Sequence, residues 1–360
     1  TRLLNNHFDA HAPQTKNFCM KVAQEFNKAR FREVVEQFKD LKVLVLGDII
    51  FDRYSSVSVQ GLTSKNRILS SRFLSEETQA GGALAVFRHL KEFTSNVKIA
   101  SLLGTEHRIE RLVAKYVQPD EDEILKIPHF TSIIKQRFIE PHSKEKEISK
   151  LFSVNIIDSH HPEIKIQKLL IDRIRHLTEW ADLILVMDFG HGVMQPLVRD
   201  FIQENAKFLA VNCQTNSNNY GFNIINRQYK RADSFSLDQA EISLACGKKE
   251  IDFAKELKAL QYFFGSKYAW LTRGGSETIG IIPEESIVTC PAFESKVIDN
   301  IGAGDAFCSL ASLAAVKGLS LNTSTFMGQL AGSLAVRIVG NTDSIKKDRF
   351  LKGAEAMLNF

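Results

Sequence analysis

Apolar residues along this chain fall into short runs that alternate between two periods. Lys42–Leu46 (KVLVL) is a continuous apolar run that stops at Gly47-Asp48, the pattern of a buried strand feeding a loop. Val97–Leu103, Leu183–Met187, Phe208–Val211, Ser234–Leu237 and Tyr268–Thr272 repeat it. Between these runs apolar residues recur every three or four positions, which predicts helices near 83–93, 106–117, 164–180, 196–205, 239–246 and 251–264. Upstream, Val22, Phe26, Phe31, Val34, Val35 and Phe38 predict one helix over 18–41, after a polar, unpatterned arm of residues 1–16. Hairpin-like strands fill 277–290, and the chain beyond about residue 300 reads as mainly helical.

Repeated strand–helix alternation predicts an α/β fold with a mostly parallel sheet covered on both faces. Two segments, about 55–75 and 130–157, break the alternation with exposed β-type sequence. In the second, Thr131–Phe138 and Leu151–Ile157 flank the charged stretch Lys144–Glu147. Together they predict a small extra sheet shaped like a lid. The expected organisation is an N-terminal linker and helix over 1–40, followed by one domain over 41–360.

Composition narrows the function classes. Among 360 residues, 46 Lys plus Arg against 42 Asp plus Glu leave a net charge of +4, too small a surplus for a nucleic-acid binder. No apolar stretch reaches the ~18 residues of a membrane span. The five cysteines (19, 213, 246, 290 and 308) form no C-x-x-C pair, and the odd count points to a reducing, cytoplasmic setting. Thr1 is not an initiator methionine, so the chain reads as a segment of something longer. His7 and His11, four apart, have metal-pair spacing, but stray histidines in an unstructured arm are the better reading.

Neither the Walker loop nor the dinucleotide fingerprint is present. The most informative stretch is Asp299–Phe307 (DNIGAGDAF), which leads into an apolar helix from Ala306 to Lys317. Gly302, Ala303 and Gly304 leave room for a ligand at the free N–H groups of a helix start, a site suited to phosphate. Asp305 there is either a helix cap or a general base beside a phosphate cradle. Gly81-Gly82 at another helix start is either a tight turn or a close approach to substrate. Asp48 and Asp52 follow the first strand, where open α/β sheets bind ligands, although surface loops carry Asp for many reasons. Thr272-Arg273-Gly274 ends another strand and reads as a nucleotide contact or a hairpin turn. Asp238 and Glu241 share a helical face, able to hold magnesium through water or simply to start a solvated helix.

The order of these pieces resembles the ribokinase-like, phosphofructokinase-B-type carbohydrate kinases, from about Leu41 to the C-terminus. Within that family the chain is most similar to the heptose-7-phosphate kinase branch, on Gly47–Tyr54 (GDIIFDRY), Asp188–Gly192 (DFGHG) and Ala331–Val336 with Gly340. The resemblance implies a ribokinase-like three-layer α/β/α sandwich with a β lid. It also implies ATP and Mg2+ as cofactors, a sugar or sugar-phosphate substrate, a homodimer joined through the lids, and a fused or partner nucleotidyltransferase serving surface-polysaccharide precursors. By motif, Asp305 is then the catalytic base and the amides of 302–304 the anion hole. Asp52 and Gly82 face the sugar, with Asp48 and Gly81 nearby. Thr272, Arg273, Gly274, Ala331 and Gly340 lie along the nucleotide, and Asp238 and Glu241 belong to the metal element. Lys65, Arg67, Lys135 and Arg137 in the lid are candidate partners for a substrate phosphate.

Four positions depart from the family pattern. Ala85 replaces a sugar-binding Asn, Asp238 an Asn, Asn212 an Asp, and His191 a Lys of the heptose branch. The polar loop Gln214–Tyr220 is a candidate for altered recognition. The competing expectation is a kinase fold that has lost catalysis and serves as a binding or dimerisation module.

Overall fold

The structure is a computed structural model that describes residues 12–119, 121–141, 148–158, 162–248, 250–294 and 296–359. Most of the predicted arm, with His7 and His11, and the charged stretch 144–147 lie outside the described residues.

The strands in chain order are β1 (Val43–Gly47), β2 (Ile49–Leu62), β3 (Leu69–Gly82), β4 (Val97–Leu103), β5 (Glu123–Lys126), β6 (Ile133–Pro141) and β7 (Ile148–Ile156). They continue as β8 (Leu183–Asp188), β9 (Leu209–Cys213), β10 (Ser234–Asp238), β11 (Tyr268–Thr272), β12 (Glu277–Ile281) and β13 (Val288–Pro291). Nine of them form one sheet in the order β13-β12-β11-β10-β9-β8-β1-β4-β5. Pairing is parallel from β5 to β11, and β12 and β13 add an antiparallel edge.

Continuous apolar strands are what a sheet buried on both faces requires, and the side-chain alternation shows the two faces directly. Val43, Val45, Leu183 and Leu185 enter one hydrophobic cluster with helices Ala83–Lys91, Ala303–Val316 and Leu321–Ala335. Leu44, Leu46, Ile184 and Val186 enter the other, with helices Ile164–Trp180, Pro196–Asn205 and Phe253–Phe264. The result is a three-layer sandwich.

The single helix expected over 18–41 is two helices, Pro13–Glu25 and Lys28–Glu36, followed by a 3-10 turn at Gln37–Asp40. Asn27 makes the break, because its side chain accepts the Arg30 N–H at 2.9 Å and so caps the second helix. The apolar period survives the break. Phe31 stacks edge-on against Phe326, and the Glu25 carboxylate accepts hydroxyl hydrogens from Ser320 and Thr323. The segment 13–40 is therefore part of the same core.

The lid is a four-stranded sheet, β3-β2-β6-β7, larger than the expected segments because β2 and β3 run back to the root of β1. Only Asp48 separates β1 from β2, so the lid grows out of the carboxyl end of the main sheet. No described helix is long and apolar enough to cross a membrane.

Gly47 permits that junction. A Cβ there would lie 2.1 Å from the Met187 carbonyl oxygen, on the backbone of β8. Gly47→Ala is expected to separate β1 from β8 and destabilise the fold by well over ~1 kcal/mol. Thermal denaturation would show this as a lower Tm; an unchanged Tm would mean the β1–β8 contact is looser than described.

Candidate active site

The carboxyl ends of β10 and β11, the start of helix Ala303–Val316 and the inner face of the lid enclose a cavity of about 820 Å³. Its floor is the turn that ends at Gly302. Gly302 adopts a left-handed backbone (φ +80°), and a Cβ there would meet the Asn341 amide oxygen at 2.7 Å. The first intrahelical bond runs from the Ala306 N–H to the Gly302 carbonyl at 2.9 Å. The amides of Gly304 and Asp305 precede that bond, at the positive end of the helix. Gly302, Ala303 and Gly304 all line the cavity.

Asp305 lines it too and is buried. Its side chain caps nothing, which removes the helix-cap reading. Instead it accepts an N–H from Gln214 at 3.0 Å. Gln214 also donates to Asn212 (2.7 Å), whose amide donates to the Ser236 hydroxyl (3.1 Å). Burial raises the Asp305 carboxyl to about 6. The Gln214 bond opposes that rise, Asp52 adds to it, and Lys135 opposes it.

The lid wall carries Asp52, Lys135 and Arg137, brought to one face by strand alternation and by the β2–β6 register that sets Asp52 opposite Lys135. Asp52 accepts from the Arg137 guanidinium and, at 2.9 Å, from the Asn341 amide. The Lys135 ammonium lies 5.9 Å from the Phe189 ring centre, and burial lowers its pKa. Gly82, with φ +58°, lets the chain turn from β3 into its helix at the cavity edge.

Thr272, Arg273 and Gly274 line the opposite end. Arg273 pairs with Glu277 and packs over the Phe253 ring at 4.8 Å. Asp238 and Glu241 line the cavity as well, but as a capping box: Asp238 accepts the Glu241 N–H, and Glu241 accepts the Asp238 N–H, each at 2.8 Å. The solvated first turn is thus corrected, since Glu241 is buried. Burial and then Asp238 raise its carboxyl to about 8. Among the described residues no group of three or more His, Cys, Asp and Glu could hold a metal ion. Asp238 and Glu241 are two oxygen donors, a set that suits a magnesium ion held through water.

Four expected contacts sit behind the wall. Asp48 is fully buried and accepts backbone N–H groups from Phe189, His191 and Val193 at 3.0–3.1 Å, so it shapes the 189–193 turn. Burial and then Asp188 raise its carboxyl to about 7. Gly81 gives Asp52 its place, since a Cβ would lie 2.4 Å from Asp52 Oδ2. Ala331 is buried within its helix; Gly332, Ser333 and Val336 reach the cavity in its stead. Gly340 packs against Gln79 and Tyr54 and donates its N–H to Asp299, leaving Asn341 to reach the ligand space. Lys65 and Arg67, at the lid tip, do not line the cavity.

Gln214 and Asn341 are the residues that motif reading missed. Gln214 opens the polar loop already noted. The amides of Asn216 and Asn219 in that loop both donate to the Phe189 carbonyl, so the loop is tied to the Asp48 turn. His191 is buried in the same place, and burial lowers its pKa to about 3.

Known proteins resemble this chain in sequence and in fold. Residues 210–348 match the model described as "pfkB family carbohydrate kinase". The chain is 24% identical over 306 residues to "Bifunctional protein HldE" of Koribacter versatilis, covering 84% of this chain and 60% of that protein. It is likewise 24% identical over 311 residues to the protein of the same name in Campylobacter curvus, covering 84% and 63%. It thus spans about three fifths of the length of these curated relatives. Among solved structures, Escherichia coli phosphofructokinase-2 in complex with substrates and products aligns with a TM-score of 0.67 at 13% identity, covering 88% of this chain and 99% of the other. Arabidopsis thaliana ribokinase complexed with ribose and ATP aligns at 0.62 and 17%, covering 89% and 99%. The chain therefore resembles the pfkB family of carbohydrate kinases over residues 210–348 and shares the fold of these solved kinases.

Proposed function

We propose that this protein transfers the terminal phosphoryl group of ATP to a hydroxyl of a sugar phosphate, with Asp305 as the general base. The observation that carries the reading is the buried Asp305 carboxylate beside the unbonded amides of a helix start, facing Asp52, Lys135 and Arg137 across one cavity. Asp305 takes the proton as the hydroxyl oxygen attacks phosphorus, and ADP departs. The amides of Gly304 and Asp305, which precede the first helical bond, would meet the charge on the migrating group. Thr272–Gly274 and the Gly332–Val336 turn would bind the nucleotide. Magnesium, when bound, would neutralise charge between the phosphates, with Asp238 and Glu241 holding its waters.

Asp52, fixed by Arg137 and Asn341, would accept a sugar hydroxyl hydrogen. The two lid cations favour a substrate that is already phosphorylated. A heptose phosphate is the first candidate, on the resemblance of 188–192 and 331–340, and a nucleotidyltransferase is the matching partner. Ala85, buried in the helix Ala83–Lys91 and off the cavity wall, contributes no sugar contact. All five cysteines are free thiols, which suits a cytoplasmic setting.

Asp305→Asn is expected to lower kcat by 10²–10⁴ in an ATP-consumption assay over heptose and hexose phosphates. Wild-type-like turnover would remove the base assignment. ATP binding without turnover on any sugar, in the unaltered protein, would favour a binding module instead. The variant should remain folded. Because burial raises the Asp305 pKa above its unfolded value, the stability tied to its neutral form is lost as pH rises through about 6. At pH 8 Asp305→Asn should therefore exceed the wild type in stability by on the order of 2 kcal/mol, a margin that fades by about pH 4.

The same carboxyl must be ionised to accept a proton, so kcat/KM should fall tenfold per pH unit below about 6. Gln214→Leu removes an N–H that favours the ionised form. The acid limb should then move to higher pH, with the plateau above it largely kept. A limb that stays in place would detach Gln214 from the reaction.

A second copy of the chain is the proposed occupant of the lid's exposed apolar side, which carries Leu69, Phe73, Phe152 and Val154. Sedimentation should give a dimer, and Phe73→Asp should shift it toward monomer.

A further inference from the structure

The lid has two faces, and the alternation that turns Asp52 and Lys135 toward the cavity turns Arg53, Thr78 and Gln136 away from it. Arg53 pairs with Thr78 across β2–β3 and with Gln136 across β2–β6. On that outer side the helix His107–Val113 and the turn after it approach the lid, and a separate cavity of about 340 Å³ opens between them. Arg108, Arg111 and Lys115 recur at helical spacing and line it together with Arg53 and Thr78.

Two atoms of these residues lack what burial demands. Arg53 Nε and Thr78 Oγ1 are out of solvent and have no hydrogen-bond partner. The nearest acid, Glu76, stands 3.7 Å from Arg53 Nε and is engaged at 3.0 Å by Arg108, while its other oxygen faces the Ser55 hydroxyl. Glu76 thus serves two of the four cations that line the cavity, Arg53 and Arg108. A buried N–H donor and a hydroxyl left unpaired are costly unless a ligand satisfies them. Both point to an acceptor with several oxygens.

We infer that this cavity is a second anion site, separate from the kinase cavity, which binds the phosphate group of a small molecule. Three guanidinium groups and an ammonium match a tetrahedral oxyanion, and guanidinium forks pair with phosphate bidentately. The Thr78 hydroxyl donates one more hydrogen bond from the sheet. Inorganic phosphate, pyrophosphate and a phosphorylated metabolite share that chemistry. A phospholipid headgroup shares it too, but the two orphaned atoms are themselves out of solvent on half-buried residues of the sheet, and a free molecule reaches them more readily than a group held in a bilayer.

The inference does not depend on the proposed phosphoryl transfer, and calorimetry on the full chain tests it with pyrophosphate as the probe. Arg111→Glu/Lys115→Glu, at two exposed positions, should weaken pyrophosphate binding at least tenfold. Thr78→Val should weaken it several-fold with no fall in Tm, because a methyl replaces an orphaned hydroxyl. Arg137→Ala, on the opposite face of the lid, should leave it unchanged. The wild-type isotherm should weaken steeply with salt. Superimposed isotherms for the wild type and the double variant would overturn the site. So would loss of binding in Arg137→Ala alone, which would return the anion to the kinase cavity. Full affinity in Thr78→Val would reduce the site to a surface patch. Capture by phosphatidylglycerol vesicles without any response to pyrophosphate would overturn the small-molecule assignment.

Discussion

An ionisable carboxyl held out of water at the start of a helix is the constraint from which the rest of this site follows. Burying a charge is costly unless dipoles and hydrogen bonds replace the lost water. Asp305 has the helix end behind it, the Gln214 amide on one oxygen and the Lys135 ammonium across the cavity. These offset the cost only partly, so its proton affinity is raised to about 6 rather than to an extreme. Such a group is ionised near neutral pH and still basic enough to take a proton from an alcohol as it attacks. The line from Asp305 through Gln214 and Asn212 to Ser236 ties that setting to the ends of β9 and β10. A shift in either strand would alter the acid.

The other acids of this region differ by what they touch, and that separates architecture from chemistry. Asp48 spends its oxygens on three backbone N–H groups and aims none at the ligand space. Asp188, fully buried, is taken up by the Tyr229 hydroxyl, the Gly190 N–H and the Asn223 amide. Asp299, at the head of the glycine turn, binds the Gly340 N–H and the Lys150 ammonium of the lid, linking three segments. Asp52, on the lid, and Asp305, beside the glycine turn, each combine a cavity position with partners that orient a carboxylate without consuming it. On the proposed function, a sugar hydroxyl and a migrating phosphoryl group would lie between them.

Much of this was legible in the sequence because periodicity and glycines report local geometry. The runs at 97–103 and 268–272 and the helices at 164–180, 196–205 and 239–246 coincide with the observed elements, since each has one face or both faces buried without interruption. The break at Asn27 was hidden because the apolar period continues across it, while the cap depends on a single side chain. Within the site, Gly302–Asp305 was legible because a left-handed turn before a helix needs glycine there. Gln214 and Asn341 were not. Each acts through a contact to a residue 91 or 289 positions away, and nothing local to an amide side chain announces such a partner. Asp48, Gly81, Ala331 and Gly340 were legible as members of motifs but not as supports, because a motif marks a neighbourhood and does not say which side chain of it faces the ligand.

The lid joins two chemistries on one backbone. Asp52 and Arg53 are consecutive in β2, and their side chains leave opposite faces of the same strand. An anion drawing Arg53 outward would therefore pull on the peptide that positions Asp52 against Arg137 and Asn341. Any preference of that anion for one lid position must appear, by thermodynamic reciprocity, as an equal preference of the sugar for the anion-bound protein. A phosphate-bearing molecule on the outer face would then tune sugar affinity far more than the proton transfer proposed for Asp305. Asp305 stands on the main sheet's side of the cavity and shares no hydrogen bond with β2.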